Sequence, residues 1–162
     1  MKGLDIEMKP KEKKIITILI IALILVDQIL KIVLFKTNII LINASGWGIG
    51  IIDNSKTENN IAYILISIIT IMMLVRYIKS NNTFIKTDSR VILSFAIAGA
   101  ISNAIDRIWN GGTINYFNIP KFTPINFSYV YFIITWIGMA VILTKYTSDR
   151  IKEKKNKECA KK

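Results

Sequence analysis

The chain alternates between long apolar runs and short polar ones. Residues 15–35, 61–77, 91–109 and 127–146 are almost continuously apolar, and a helix needs about 20 such residues to cross ~30 Å of hydrocarbon. The pattern predicts an all-α integral membrane protein with four transmembrane helices. The first run is long, is interrupted by Asp27 and Lys31, and lacks a small-residue cleavage site, so it reads as a span rather than a signal peptide. Two connections differ in character from the third. Residues 38–60 place Trp47 among Gly46, Gly48 and Gly50, and residues 111–124 are rich in Tyr, Phe and Pro. Such segments favour short strands or an interfacial helix at the membrane surface, where aromatic rings are stable.

Polar residues inside the spans refine this picture. Asp27 and Lys31 lie four positions apart, hence on one helical face, where they can neutralise each other. In the third span Asn103, Asp106 and Arg107 are related by three and four positions and share another face. Neither face tolerates lipid, so the two are expected to meet. Gly99, Ala100 and Ser102 precede the second group and permit close approach of a neighbouring helix. A polar network that fixes helix packing and a binding role are both open on these residues alone.

Charge sets the orientation. Lys2, Lys9, Lys11, Lys13 and Lys14 precede the first span; Arg76, Lys79, Lys86 and Arg90 surround the middle connection; eight more Lys and Arg follow from Lys145 onward. The other two connections carry few. Retention of positive charge on the cytoplasmic side predicts that both termini and the middle loop are cytoplasmic, with two extracytoplasmic loops. The expected organisation is a basic N-terminus over 1–14, a membrane domain over 15–146 and a basic tail over 147–162.

A net charge of +11 would suggest nucleic acid in a soluble chain. Here the charge sits at the ends without interleaved aromatics, so anionic membrane lipid is the expected partner and nucleic acid is not. Histidine is absent and Cys159 is the single cysteine. Histidine triads, disulfide frameworks and the common zinc sites are thereby excluded, and no metal or cofactor is expected.

The motifs line up with a known family. Val26-Asp27-Gln28-Ile29-Leu30-Lys31, and Ala98-Gly99-Ala100-Ile101-Ser102-Asn103-Ala104-Ile105-Asp106-Arg107 against a pattern GGxxGNxxDR, resemble two boxes of signal peptidase II. Asn126 fits the Asn of a further box. Gly46-Trp47-Gly48-Ile49 resembles the end of another, with Asn43 matching its Asn if one residue is deleted. The resemblance runs from about Val26 to Gly138. It implies a bacterial cytoplasmic membrane aspartic peptidase that removes signal peptides from diacylglyceryl-modified prolipoproteins. Asp27, Lys31, Asn43, Trp47, Asn103, Asp106, Arg107 and Asn126 are then expected to line the site.

Two departures bear on activity. Where the family reads Val-Val-Asp-Phe, this chain reads Thr113-Ile114-Asn115-Tyr116; where it reads Phe-Asn-x-Ala-Asp, this chain reads Ile125-Asn126-Phe127-Ser128-Tyr129. Asn115 and Tyr129 therefore occupy both catalytic aspartate positions. An aspartic peptidase needs two close carboxyl groups sharing one proton. Asn115 does not titrate, and Tyr129, with a reference pKa near ~10, is a neutral donor at pH 7. Losing one positioned acid or base removes about 10²–10⁴-fold in rate. Asp27 and Asp106 are the remaining acids within the spans, and each has a basic neighbour that favours its ionised form. A Ser–Lys nucleophile using Lys31 with Ser45, Ser94, Ser102 or Ser128 has only residue type behind it. The sequence thus points to a non-catalytic family member binding a lipid-modified prolipoprotein segment, a lipopeptide or a membrane protein. The alternatives are a working prolipoprotein signal peptidase and a small transporter subunit, the latter without repeat halves to support it.

Overall fold

The computed structural model describes residues 9–37, 41–43, 57–79, 87–117 and 124–159. These form helices α1 (Pro10–Phe35), α2 (Thr57–Lys79), α3 (Thr87–Asn110) and α4 (Phe127–Cys159), with strands β1 (Leu41–Asn43) and β2 (Thr113–Asn115). The chain is an all-α integral membrane protein. Helices α1, α3 and α4 are each long and apolar enough to cross a bilayer, and α2 has an apolar stretch over Tyr63–Tyr77.

Helix α3 is the hub, touching α1, α2, α4 and β2. Its sequence explains this position, because Ser94, Ala96, Ala98, Gly99, Ala100, Ser102 and Ala104 are all buried. Small side chains bring backbones together where the apolar solvent supplies no net drive for helix association. A Cβ added at Gly99 would lie 2.9 Å from the Ser128 carbonyl oxygen on α4, and one at Gly138 would lie 2.8 Å from Ile92. Residue 92 thus faces the middle of α4 while residue 99 faces its start, so α3 and α4 are antiparallel. Arg90 pairs with Glu12 at one end and Asp106 with Lys31 at the other, so α1 and α3 run parallel. Ile16, Leu93 and Ile97 form an apolar core near the Glu12 end, joined by Ile20, Leu74, Val75, Ile101 and Met139. The outer face of α1 exposes Ile18, Ile21, Leu25, Ile29 and Ile32, the stripe expected to face hydrocarbon.

Pro10 opens α1, where its missing N–H costs nothing. Gly111 ends α3 with φ +71, the left-handed conformation that releases a helix C-terminus into a turn. The chain then enters β2, which pairs antiparallel with β1 in the register Leu41↔Asn115, Ile42↔Ile114 and Asn43↔Thr113. A bridge between Phe117 and Ile125 returns it to α4. Helix α4 runs for 33 residues, about 50 Å at 1.5 Å per residue. The apolar run ends near Tyr146, and the helix carries on through the described part of the basic tail.

Candidate functional site

The polar residues of α1 and α3 form one buried charge cluster. Asp27 and Lys31 stand one turn apart on α1 and form an ion pair. The Lys31 ammonium also contacts Asp106 Oδ2 on α3 at 2.7 Å. One cation therefore lies between two carboxylates, and all three side chains are at most 1% exposed. Gln28, on the same face of α1, donates to Asp106 Oδ1 at 3.0 Å and to Ser102 Oγ at 2.8 Å. The Ile114 N–H of β2 donates to Asp106 Oδ2 at 3.2 Å, tying the strand to the end of α3.

Asp27 is the most heavily hydrogen-bonded of these groups. Besides Lys31 it accepts from Ser102 on α3, from Ser128 on α4 at 2.9 Å and from the Tyr116 hydroxyl at 3.1 Å. Lys31, Ser102 and Ser128 crowd Oδ2, and Tyr116 takes Oδ1. Tyr116 in turn accepts the Phe127 N–H at 3.0 Å, so its ring joins α1 to the first turn of α4. Burial, reinforced by the Asp27 carboxylate, raises the Tyr116 phenol above the ordinary tyrosine range and keeps it a proton donor.

Asn126 organises the adjoining half of the site. It precedes α4 as its N-cap, and the Tyr129 N–H of the first turn donates both to its backbone carbonyl at 3.1 Å and to its Oδ1 at 3.3 Å. Its Nδ2 faces the Ile114 carbonyl at 3.0 Å, Asn103 Oδ1 at 2.9 Å and Asn115 Oδ1 at 3.0 Å. Asn115 is fully buried, and its Nδ2 has no hydrogen-bond partner. Tyr129 is half-buried on the first turn of α4. Arg107 points to another side, its guanidinium 4.7 Å from the Tyr63 ring centroid on α2 and within electrostatic reach of Tyr129.

A sequence model of the signal peptidase (SPase) II family matches residues 19–147. The chain belongs to the signal peptidase II family. Two solved structures share its fold, both described as bacterial membrane enzymes determined by the in meso method. One, at 2.3 Å resolution, has 23% identity and a TM-score of 0.66 and covers 84% of this chain and 91% of its own. The other, at 1.9 Å resolution, has 18% identity and a TM-score of 0.61, with 80% and 92% covered. No curated protein matches.

In this signal peptidase II family member, Asp27, Lys31 and Asp106 form the charge cluster, and Asn103, Asn115 and Asn126 form an amide cluster beside it. Ile114 links the two through its N–H and C=O. Arg107 and Tyr129 flank them. Asn43 lies opposite Thr113 in the ribbon, and Trp47 falls outside the described residues. Sequence reasoning missed Gln28 and Tyr116 as partners of the cluster, and took Ser102 for a small packing residue and Ser102 and Ser128 for candidate nucleophiles beside Lys31, not for donors to Asp27. One signal was available: Ser102, Tyr116 and Ser128 each replace a hydroxyl-free residue of the family pattern with a hydroxyl.

Proposed function

We propose that this chain is a non-catalytic member of the signal peptidase II family that binds a lipid-modified peptide, such as a prolipoprotein signal segment, without cleaving it. One observation carries the reading: the two family catalytic positions hold Asn115 and Tyr129, while the two carboxylates of the buried cluster, Asp27 and Asp106, are both paired with Lys31. Both carboxylates are thus taken up by contacts inside the bundle, Asp106 also accepting from Gln28 and the Ile114 N–H. Asp27 is held by four donors from the chain itself, Lys31, Ser102 and Ser128 on Oδ2 and Tyr116 on Oδ1.

The reading includes a position in the bacterial cytoplasmic membrane with both termini cytoplasmic, supported by the Lys and Arg at the chain ends and around the middle connection. The chain's Asn115 end then opens to the outer surface, where lipid-modified segments are presented.

The test uses the full chain in lipid nanodiscs with a diacylglyceryl-modified prolipoprotein. Binding without cleavage is the expected result. The double substitution Asn115→Asp with Tyr129→Asp should introduce cleavage if the pocket still seats its peptide. Cleavage by the unaltered chain, abolished by Asp106→Asn, would overturn the non-catalytic reading.

A further inference from the structure

Asn115 carries a donor that the fold orients and leaves unmet. The orientation follows from the backbone outward. The Tyr129 N–H can only donate, so it fixes Asn126 Oδ1 on its side; the Ile114 carbonyl can only accept, so it fixes Asn126 Nδ2 on the other. Asn126 therefore presents N–H to Asn115, and Asn115 must answer with Oδ1. The Asn115 Nδ2 is thereby turned away from Asn126. It is fully buried and without a partner, in a protein whose other buried donors at the site are met. Leaving such a group unpaired is unfavourable, and a polar atom kept in that state beside the half-buried Asn103 and Tyr129 is a binding feature in search of an acceptor.

An aspartate at this position would also accept from Asn126, so the present residue keeps that support. What it changes is the second atom, from an acceptor oxygen to an NH₂. Water needs an acceptor to be activated, whereas a carbonyl oxygen needs a donor to be held. The flanking residues agree with a ligand of that kind. Asn103 and Tyr129, joined to Asn126 by hydrogen bonds, are both half-buried and place the donor beneath a polar, partly open surface. Arg107 and Lys31 are already engaged, so a neutral group suits the position better than an anion.

We infer that Asn115 Nδ2 anchors the ligand by donating a hydrogen bond to one of its neutral carbonyl oxygens, either a backbone amide or an ester of the diacylglyceryl group. The inference rests on the binding reading above and names the contact that makes it.

The experiment is isotope-edited infrared spectroscopy on the full chain in nanodiscs, with a diacylglyceryl-modified peptide carrying ¹³C at the modified cysteine's backbone carbonyl or, in a second preparation, at an ester carbonyl. Binding should move one of these bands to lower frequency, and the one that moves identifies the source. Asn115→Asp keeps the acceptor for Asn126 and removes the donor; it should abolish the shift and weaken binding about tenfold. An N115D variant that binds as tightly as the unaltered chain, or retains the shift, overturns the assignment. Should N115D not fold, the unaltered chain labelled with ¹⁵N-asparagine answers the question, since the Asn115 side-chain amide signal must move on addition of peptide and a static signal refutes the contact. Absence of any binding by the unaltered chain overturns the function proposed above instead.

Discussion

Tyr116→Phe is the sharpest probe of the Asp27 cluster, because it deletes one oxygen and leaves the ring. The hydroxyl lost is 3.1 Å from Asp27 Oδ1 and 3.0 Å from the Phe127 nitrogen. A hydrogen bond to a charged group contributes about 1.5–3 kcal/mol. Asp27 keeps Lys31, Ser102 and Ser128, so the lower half of that range applies to the first loss. Phe127 opens α4, where an unpaired N–H is tolerated. The expected destabilisation is about 2 kcal/mol, well above the ~0.6 kcal/mol average for hydrogen bonds between membrane helices. Reversible unfolding in mixed micelles measures it. A double-mutant cycle with Asp27→Asn tests the cause: with a neutral partner the same deletion should cost about 1 kcal/mol, leaving a coupling of about 1 kcal/mol. A Tyr116→Phe cost below about 0.6 kcal/mol, or one unchanged by Asp27→Asn, would refute the idea that this hydroxyl stabilises a charge.

Three further outcomes follow from named residues. The Tyr116 phenol has a folded pKa above its unfolded value near ~10, so its contribution is complete below pH ~10 and is lost as pH rises toward the folded value; unfolding titrations should show stability falling in that alkaline window, less steeply in Y116F. Gly111 adopts φ +71 with open space around the missing Cβ, so Gly111→Ala should destabilise by about 1–2 kcal/mol through backbone strain alone, and Gly111→Asn by less. Cys159 is exposed, and with no other thiol in the sequence a membrane-impermeant maleimide reports the side of the C-terminus: labelling only after permeabilisation is expected, and labelling of intact cells reverses the proposed orientation.

The helices were legible because each residue's hydropathy acts locally, and the helix faces because charges three and four apart must share a side. Asp27 with Lys31, and Asn103 with Asp106 and Arg107, needed no tertiary information. The role of Asn126 was available in part, since an Asn two residues before Ser128 at the start of an apolar run is an N-cap signal. The hydroxyl partners of Asp27 were not legible. Ser128 reaches it across 101 residues and Tyr116 across 89, and no periodicity links positions so far apart. Serine is also the residue type whose sequence meaning is weakest, serving equally as spacer, cap and donor. Helix α4 past Tyr146 was obscured for the opposite reason: a run of lysines reads as a solvated tail, although lysine and glutamate are good helix formers once a preceding helix has supplied the nucleus.

Five departures from the family pattern share one chemical direction. Two carboxyl positions have become an amide at Asn115 and a phenol at Tyr129, while a glycine, a phenylalanine and an alanine position have become Ser102, Tyr116 and Ser128. Each of these five changes removes a carboxyl group or adds a side chain that donates a hydrogen bond. In the buried cluster the Lys31 ammonium lies between Asp27 and Asp106, with Arg107 on another side against Tyr63. Decay of an unused site would leave cavities and unmatched charges, which are costly in a buried bundle. Here Ser102, Tyr116 and Ser128, from three different segments, converge instead on one carboxylate, and that convergence argues for a site refitted to hold a fixed charge distribution. A pocket of that kind suits recognition, which needs its donors constant, better than hydrolysis, which needs a proton that moves.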